Sequence, residues 1–386
     1  MEKLSAQDLV NLLISVFPRL PEDRELLIIV DVPRTTKNDN PNWKSRRELA
    51  QEWTSILHPN KKQLKLESVK LIAYPDVGSN NAELPENAYV IHDSLPESAS
   101  GLDSFGEKIS FKKLFSQIQL ILAPTEYSTT APLKVAAKKH GFRAATMPGF
   151  SAAMIPALKI DYNEVNRRVH LIKDKLDDAV AAEVNFLIDA KQSHTMFFDL
   201  RYRKAHASSG RFPERGTAGN VPSGEAYIVP YEGEKKETSQ TTGILPVQIG
   251  SELVLFTIKK NRAFEAKGSG NATHQENRHL KKDPAYGNMA ELGFGVLADF
   301  GLKPINEILL DEKLGFHVAF GRSEHFGGII GPKNFSSPSS VIHLDRIYIP
   351  ATQPRITIKT IKLIFKQNRT ETIMEEGKYT IFYGLI

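Results

Sequence analysis

The sequence predicts an α/β amino-terminal domain with a mainly parallel sheet, followed by a β-rich α+β carboxy-terminal domain. In the first half of the chain, short apolar runs alternate with amphipathic helical patterns, which is typical of βαβ units. From Glu183 onward, strand-like runs separated by turns rich in Gly and Pro dominate instead. A chain of 386 residues is too long for one ordinary core. We therefore predict two domains, at residues 1–180 and 181–386.

The predicted elements of the first domain are alternating helices and strands. ELLIIVDVP (25–33) is a short continuous apolar run, as expected of a buried parallel strand. Gly141 has the position of a glycine that ends a helix. After an opening helix, the pattern predicts strands at 25–33, 69–77, 87–94, 119–127 and 142–149, and helices at 45–57, 110–118, 131–141 and about 161–181.

The second domain is predicted from runs rich in β-branched and aromatic residues. These runs are NFLIDA (185–190), HTMFFDLRY (194–202), EAYIVPYEG (225–233), ELVLFTIKKN (252–261), HVAFG (317–321), SVIHLDRIYI (340–349), ITIKTIKLIFK (356–366) and YTIFYGLI (379–386). The polar segment KGSGNATHQENRHLKKDPAYGN (267–288) is predicted as a loop or the start of a short helix.

The composition is that of a globular protein, and it excludes several kinds of chemistry. The sequence has no cysteine, which excludes disulfides, thiolate metal sites and cysteine nucleophiles. Its 50 basic and 45 acidic residues are interspersed, and no basic run carries interleaved aromatics, so we expect no nucleic-acid partner. The amino terminus lacks the features of a signal peptide, and no apolar run is long enough to span a bilayer. We therefore expect a cytoplasmic protein without a membrane partner.

The segment SSVIHLDRIYIP (339–350) places a histidine and a carboxylate inside an otherwise apolar strand. Residues two apart in a strand point to the same face, so His343 and Asp345 are expected side by side. A buried acid needs a partner, because a lone buried charge costs several kcal/mol. A divalent metal is one such partner, and His with Asp suits zinc, manganese, cobalt or iron(II).

Three further segments bring a potential ligand into an apolar surrounding. They contain Glu225 in GNVPSGEAYIVP, Glu291 in GNMAELGFGVL and His317 in GFHVAFG. Each residue alone also fits an ordinary role: a turn cap, the start of a helix and a hydrogen-bonded structural histidine, respectively. Two imidazoles and three carboxylates in one domain together favour a metal site. Other chemistries have less support, because the sequence has no P-loop, dinucleotide fingerprint or GxSxG motif.

These ligand segments, in this order, resemble those of the thermophilic-type metalloaminopeptidases, the aminopeptidase T family. The resemblance extends over NVPSGEAYIVP, AELGFG, LLDEKLGFHVAFG and SSVIHLD, and over LAPTEYSTTAPLKVAAKKHGFRAATMPG in the first domain. It implies an α/β amino-terminal domain, a β-rich carboxy-terminal metal domain and a homodimer. It also implies two divalent ions (zinc, cobalt or manganese), with Glu225 or Glu291 bridging them or acting as a base. The implied metal ligands are Glu225, Glu291, His317, His343 and Asp345.

The sequence departs from this family at one position. The family typically has a tyrosine a few residues after its first metal-binding histidine, whereas HVAFG is followed here by Arg-Ser-Glu-His. We therefore expect Glu324 or His325 to act as an accessory residue in place of that tyrosine.

The chain also resembles a second group, the iron(II)-dependent ring-cleaving dioxygenases of dihydroxypyridines, which bind iron through two histidines and one carboxylate. Glu291 stands near the position expected for an additional iron-binding histidine, and an acid there favours the peptidase-type site. We therefore predict a metal-dependent aminopeptidase with peptide substrates. The alternatives are a mononuclear iron(II) dioxygenase and a catalytically silent protein in which the same side chains form a structural network.

Overall fold

The computed structural model describes residues 3–382, which form two compact units. The first unit contains the chain up to Asn166 together with Ser208–Ser223. The second contains Arg167–Ala207 together with the chain from Gly224 onward. None of the described helices combines the length and the apolar character needed to cross a membrane.

The first unit is built on a seven-stranded sheet. Its strands are β1 (Glu25–Val32), β2 (Ser68–Pro75), β3 (Asn87–Ile91), β4 (Gly106–Ser110), β5 (Leu120–Ala123), β6 (Arg143–Thr146) and β10 (Ala218–Asn220). They are arranged in the order β10-β6-β5-β1-β2-β3-β4. The pairs from β10 to β2 are parallel, whereas β3 and β4 are antiparallel to their neighbours. The predicted mainly parallel sheet is therefore confirmed.

Most helices of the first unit occupy the predicted places between the strands, whereas the four-residue helix Leu102–Phe105 was not predicted. They are α1 (Ala6–Val16), α2 (Pro41–Asn60), α3 (Leu102–Phe105), α4 (Phe111–Gln117) and α5 (Thr130–His140), and α6 (Tyr162–Asp178) continues into the second unit. Helix α2 packs against β1 and β2. Because β1 also has parallel neighbours on both sides, all its residues from Leu26 to Val32 are buried, as its continuous apolar sequence predicts.

The second unit contains two antiparallel sheets. The larger has the strands β7 (Ala179–Ile188), β8 (Gln192–Asp199), β12 (Thr242–Ile249), β13 (Glu252–Lys259), β14 (Arg262–Lys267), β18 (Ile356–Phe365), β19 (Thr370–Glu375) and β20 (Lys378–Tyr379). Their order is β14-β13-β12-β8-β7-β18-β19-β20. The smaller has the strands β9 (His206–Ser208), β11 (Glu225–Ile228), β15 (Met289–Gly295), β16 (Phe316–Gly321) and β17 (His343–Ile347), in the order β17-β16-β15-β11-β9. The predicted mixture of a parallel and a β-rich part is confirmed, whereas the boundary at residues 180 and 181 remains a prediction.

The polar segment predicted as a loop or a short helix start is mostly a regular helix. This helix is α7 (Asn271–Lys282). The described part of the second unit also contains the short helix α8 (Ile308–Asp311). The carboxylate of Glu252, from β13, accepts hydrogen bonds from the backbone N–H groups of Gly270, Ala272 and Thr273 at 2.8 to 3.1 Å. This distant acid satisfies the free donors at the start of α7.

The predicted strand at 379–386 lies partly outside the described residues, within which β20 ends at Tyr379.

Candidate metal centre

One face of the five-stranded sheet carries the residues predicted to bind metal. Glu291 of β15 lies opposite Ala319 of β16, which in turn lies opposite Asp345 of β17. His317 lies opposite Gly293. Cross-strand partners point to the same face, and so do residues two apart in one strand. Glu291, His317 and Asp345 therefore share one face.

The same register adds Glu225 and His343 to this face. Glu225 opens β11 and lies opposite Gly295, two residues beyond Gly293 on β15. His343 opens β17 and lies opposite Gly321 of β16. The structure thus brings all five predicted ligands together, although binding of metal by them stays a prediction.

Glu291 occupies the centre of this group. Its Oε2 lies 3.0 Å from Nε2 of His343, and its Oε1 lies 3.5 Å from Nε2 of His317. Nε2 of His343 is also 3.7 Å from Oδ1 of Asp345. Because each oxygen of Glu291 faces a different imidazole, this carboxylate links the two histidines.

Glu225 stands at one end of the group, between an imidazole and an ammonium. Its Oε2 lies 3.6 Å from Nε2 of His317. Its Oε1 accepts a hydrogen bond of 2.5 Å from Nζ of Lys313, which also donates to Glu312. Lys313 lies on the 3₁₀ turn Glu312–Leu314, which precedes β16, and its side chain is buried. Sequence reasoning did not single out this lysine.

Contacts with carboxylates favour the protonated form of both histidines. Burial by itself lowers the pKa of an imidazole, but contact with Glu291 outweighs burial and raises the pKa of His317 to about 10 and that of His343 to about 9. Burial also acts to raise the pKa of Glu291, yet its contacts with the two imidazoles hold that pKa well below its usual range. These pKa values favour the cationic, doubly protonated form of both imidazoles at neutral pH. Both rings contact the same carboxylate, that of Glu291.

The other two carboxyl groups are in less favourable surroundings. Burial raises the pKa of Glu225 to about 7, although the Lys313 ammonium opposes this shift. Burial, together with the charge of Glu312, raises the pKa of Asp345 to about 6. The anionic forms of these two side chains are therefore poorly compensated in the metal-free fold, and a bound cation would compensate them.

The residues fit a divalent metal. Oε2 of Glu225 is buried without a hydrogen-bond partner. A cation or a proton at this oxygen would stabilise it. Carboxylate oxygens and imidazole nitrogens are ligands for zinc, manganese, cobalt and iron(II). Two groups each offer three ligand atoms within 4.8 Å of one another: Glu225 with Glu291 and His317, and Glu291 with His343 and Asp345. Glu291 is common to both groups.

Gly293 makes room for the His317 ring. A Cβ atom built on Gly293 would lie 2.0 Å from Nε2 of His317 and 2.2 Å from its Cε1, far inside van der Waals contact. The imidazole therefore lies directly over the backbone of β15, and only glycine at position 293 leaves this space open.

We expect Gly293→Ala to displace the His317 ring and to weaken metal binding about tenfold or more, because one ligand leaves its position. The variant should also lose about 1 to 3 kcal/mol of stability, as is usual when a tightly packed site receives an extra methyl group. Titration calorimetry with Zn²⁺ and thermal melting measure the two effects. In a His317→Ala background the clash is absent, so Gly293→Ala should there cause little further loss. An equal loss in both backgrounds would contradict this explanation.

The two predicted accessory residues lie beside the ligands. Glu324 pairs with Arg322 through two hydrogen bonds of 2.7 and 2.5 Å. His325 has its Nδ1 3.5 Å from Glu324, and its ring packs edge-on against His343, with centroids 5.2 Å apart. Neither residue belongs to the two groups of potential ligand atoms. An accessory role for Glu324 or His325 stays a prediction.

Tyr227 also lies on this face and was missed in the sequence. It follows Glu225 by two positions on β11 and lies opposite Gly293. Its ring stacks against His206, with centroids 5.1 Å apart. Burial, with the charges of Glu291 and Glu225, raises the pKa of its phenol. In the strand EAYI, Tyr227 is two residues from Glu225 and therefore points to the same face. This spacing could have identified Tyr227 in the sequence.

The two predicted ligands on β17 are less buried than their apolar strand suggested. The His343 side chain is 21% exposed, whereas that of His317 is 1% exposed. The reason is the strand order, because β17 is the edge strand of its sheet and β16 is an inner strand.

Comparison with known proteins identifies the fold. No protein-family model matches the sequence, and no curated protein matches it. Among solved structures, 2,5-dihydroxypyridine dioxygenase from Pseudomonas putida has a TM-score of 0.58 at 15% identity, covering 98% of this chain and 98% of that one. Wild-type AmpT (aminopeptidase T) from Thermus thermophilus has a TM-score of 0.55 at 14% identity, covering 97% of this chain and 98% of that one. Over nearly its whole length, the chain therefore has the fold shared by an aminopeptidase T and a 2,5-dihydroxypyridine dioxygenase.

Proposed function

We propose that the protein is a divalent-metal-dependent aminopeptidase. The observation that carries this proposal is the central carboxylate, Glu291, shared by two groups of ligand atoms that together contain three acids and two imidazoles. A shared carboxylate between two such groups is suited to a pair of ions, and its negative charge offsets theirs. The fold in common with AmpT supports the same activity.

We propose roles for the two glutamates from their contacts. Glu291 faces an imidazole with each oxygen, so we assign it as the bridging ligand. Glu225 has one oxygen bonded to Lys313 and the other without a hydrogen bond, so the latter is the atom that would either hold an ion or accept a proton. His317, His343 and Asp345 complete the ligand set. When bound there, divalent ions such as zinc, cobalt or manganese would supply Lewis acidity toward a peptide carbonyl.

A specific feature favours a second candidate, an iron(II) dioxygenase. His317, His343 and Glu291 together supply two imidazoles and a carboxylate, the donor set of mononuclear iron oxygenases. The fold in common with 2,5-dihydroxypyridine dioxygenase supports this candidate. The two further acids, Glu225 and Asp345, favour the aminopeptidase because they add donors that such a set does not need.

The test uses the purified protein after treatment with a chelator and reloading with Zn²⁺, Co²⁺, Mn²⁺ or anaerobic Fe²⁺. We expect the Zn²⁺, Co²⁺ or Mn²⁺ form to hydrolyse a dipeptide with a free amino group, and to leave its N-acetylated counterpart intact. Consumption of 2,5-dihydroxypyridine and oxygen by the Fe²⁺ form, without peptide hydrolysis, would select the second candidate. A homodimer is proposed on the family resemblance alone, and analytical ultracentrifugation tests it.

A further inference from the structure

Two aromatic rings stand beside the candidate metal ligands, and both are partly exposed. One belongs to Tyr227, which lies on the ligand face of β11. The other belongs to Phe326, whose ring packs edge-on against that of His343, with centroids 5.3 Å apart. The rings of Tyr227 and Phe326 also contact each other, with centroids 4.7 Å apart. We call these two residues the aromatic wall.

Three contacts hold the aromatic wall in place. The His206 ring stacks on that of Tyr227, with centroids 5.1 Å apart. Nε2 of His206 donates a hydrogen bond of 3.0 Å to the backbone carbonyl of Phe326. On the next residue, the carbonyl of Gly327 accepts a hydrogen bond of 3.0 Å from Nη1 of Arg203. Because stacking fixes one ring and hydrogen bonds fix the backbone that carries the other, the wall is preformed, as small-molecule sites usually are.

The aromatic wall adds an apolar side to a site that is otherwise polar. The five candidate ligands are carboxylates and imidazoles, whereas the wall presents the faces and edges of two carbon rings. Sites for small molecules typically combine such an apolar surface with a few polar groups that fix the orientation of the ligand. Aromatic rings bury a large apolar area and pair favourably with other rings. The combination therefore fits a substrate that joins a polar backbone to a large apolar side chain.

The short distance between the aromatic wall and the ligands limits which part of a peptide can touch it. The Phe326 ring lies beside that of His343, and consecutive Cα atoms of a peptide are about 3.8 Å apart. A peptide whose scissile carbonyl lies at the ligands can therefore bring only the residues on either side of that bond to the wall. The residue after the bond continues into the rest of the peptide and needs an open path. A fixed wall is better suited to the residue before the bond.

We propose that the aromatic wall receives the side chain of the amino-terminal residue of the substrate. The protein is then selective for peptides that begin with an aromatic or large aliphatic residue. This inference rests on the proposed aminopeptidase function and adds a substrate class to it. The alternative role of Phe326 is to support the His343 ring by packing alone. In that case its replacement would impair the hydrolysis of all peptides by the same factor.

The experiment compares the dipeptides Phe-Ala, Ala-Ala and Ala-Phe as substrates of the Zn²⁺-reloaded protein. In the wild type, kcat/KM for Phe-Ala should exceed that for Ala-Ala about tenfold or more, because a large side chain gains contacts that a methyl group lacks. Phe326→Ala should reduce this ratio about fivefold or more, whereas Phe326→Tyr, which keeps the ring, should retain it. The ratio is informative because a loss of support for His343 would lower both values of kcat/KM alike.

Phe264→Ala is the matched control. Phe264 lies on β14 of the same unit, its side chain is 51% exposed, and it does not belong to the aromatic wall. Its replacement removes an exposed phenylalanine ring away from the ligands, so it should leave both the ratio and the rates at the wild-type values. Thermal melting of each variant shows whether the fold is retained.

Binding of free amino acids gives a second readout that does not depend on hydrolysis. Calorimetry with the Zn²⁺-reloaded wild type should show that L-phenylalanine binds about tenfold more tightly than L-alanine, because only the former has a ring to place against the wall. In Phe326→Ala this difference in affinity should be largely lost. Equal affinity of the wild type for the two amino acids would contradict the proposed contact.

The outcomes separate the aromatic wall from the aminopeptidase. Equal kcat/KM for Phe-Ala and Ala-Ala, or an unchanged ratio in Phe326→Ala, would overturn the wall and leave the aminopeptidase standing. A preference for Ala-Phe in place of Phe-Ala would overturn the assignment to the amino-terminal residue. If no peptide is hydrolysed, the aminopeptidase fails, and calorimetry alone decides whether the wall binds an aromatic side chain. If Phe326→Ala does not fold, the affinities of the wild type for the two amino acids decide.

Discussion

Glu291→Gln is expected to abolish retention of divalent metal and to cause the largest loss of stability of any single substitution at the site. Glu291 belongs to both groups of ligand atoms, so its loss weakens both at once. It also faces the protonated rings of His317 and His343. Removing the charge leaves these imidazoles without their shared partner, and breaking a buried pair in this way typically costs about 3 to 5 kcal/mol.

Two measurements on Glu291→Gln check this expectation: zinc content after reloading, and urea unfolding of the metal-free protein. Glu276→Gln is the matched control. Glu276 is a buried glutamate of α7 that accepts hydrogen bonds from Tyr286 at 2.9 Å and from Arg346 at 3.2 Å, outside both ligand groups. Its replacement should cost stability but leave the zinc content unchanged. Full zinc retention in Glu291→Gln would disprove the central role of this carboxylate.

Asp345→Ala and His343→Ala should each reduce peptide hydrolysis about a thousandfold or more, because each removes a ligand and with it about 4 kcal/mol of transition-state stabilisation. Their metal-free proteins should behave differently. His343 contacts Glu291, so its loss also weakens the metal-free network. Asp345 lies 3.7 Å from His343, without a hydrogen bond to it.

The pKa of Asp345 gives the sign of its effect on stability. Burial raises this pKa to about 6, above the ordinary aspartate value of 3.8, so the folded state binds a proton more readily than the unfolded state. Ionised Asp345 therefore lowers the stability of the metal-free fold as the pH rises through the window between about 4 and 6. Above pH 6, metal-free Asp345→Ala should melt no lower than metal-free wild type. A clear drop in its melting temperature would instead support a purely structural network.

His325→Ala tests the accessory role predicted for this residue. His325 packs against His343 but lies outside the two ligand groups, and unchanged activity would show that it is only a loop residue. A loss as large as that of His343→Ala would show that His325 has taken a role at the metal, as the missing family tyrosine led us to predict.

The local pattern of the sequence predicted most elements and the five candidate ligands. β1 is one continuous apolar run because it is buried between two parallel neighbours. His343 and Asp345 are two apart in β17, and a strand always sends such residues to one face. Where the residues of an element determine its structure by their own pattern, the local sequence is sufficient to predict that element.

Helix α7 shows where the local pattern fails. Its polar residues gave little sign of a regular helix, and its first N–H groups are satisfied by Glu252, which lies on β13. The start of α7 therefore depends on a contact between segments about 20 residues apart. A similar dependence on the sheet explains the partial exposure of His343, since only the strand order makes β17 an edge.

Residue types and their spacing in the sequence thus indicated which five side chains could bind metal, whereas β15, which carries Glu291, was not among the predicted strands. Only the tertiary structure decided that Glu291 stands between the two histidines, that Gly293 leaves space for His317, and that Lys313 reaches Glu225. The physical reason is that these relations depend on register between strands and on a turn folded against β11, with partners up to 88 residues apart. Periodicity within one segment carries no information about such pairs.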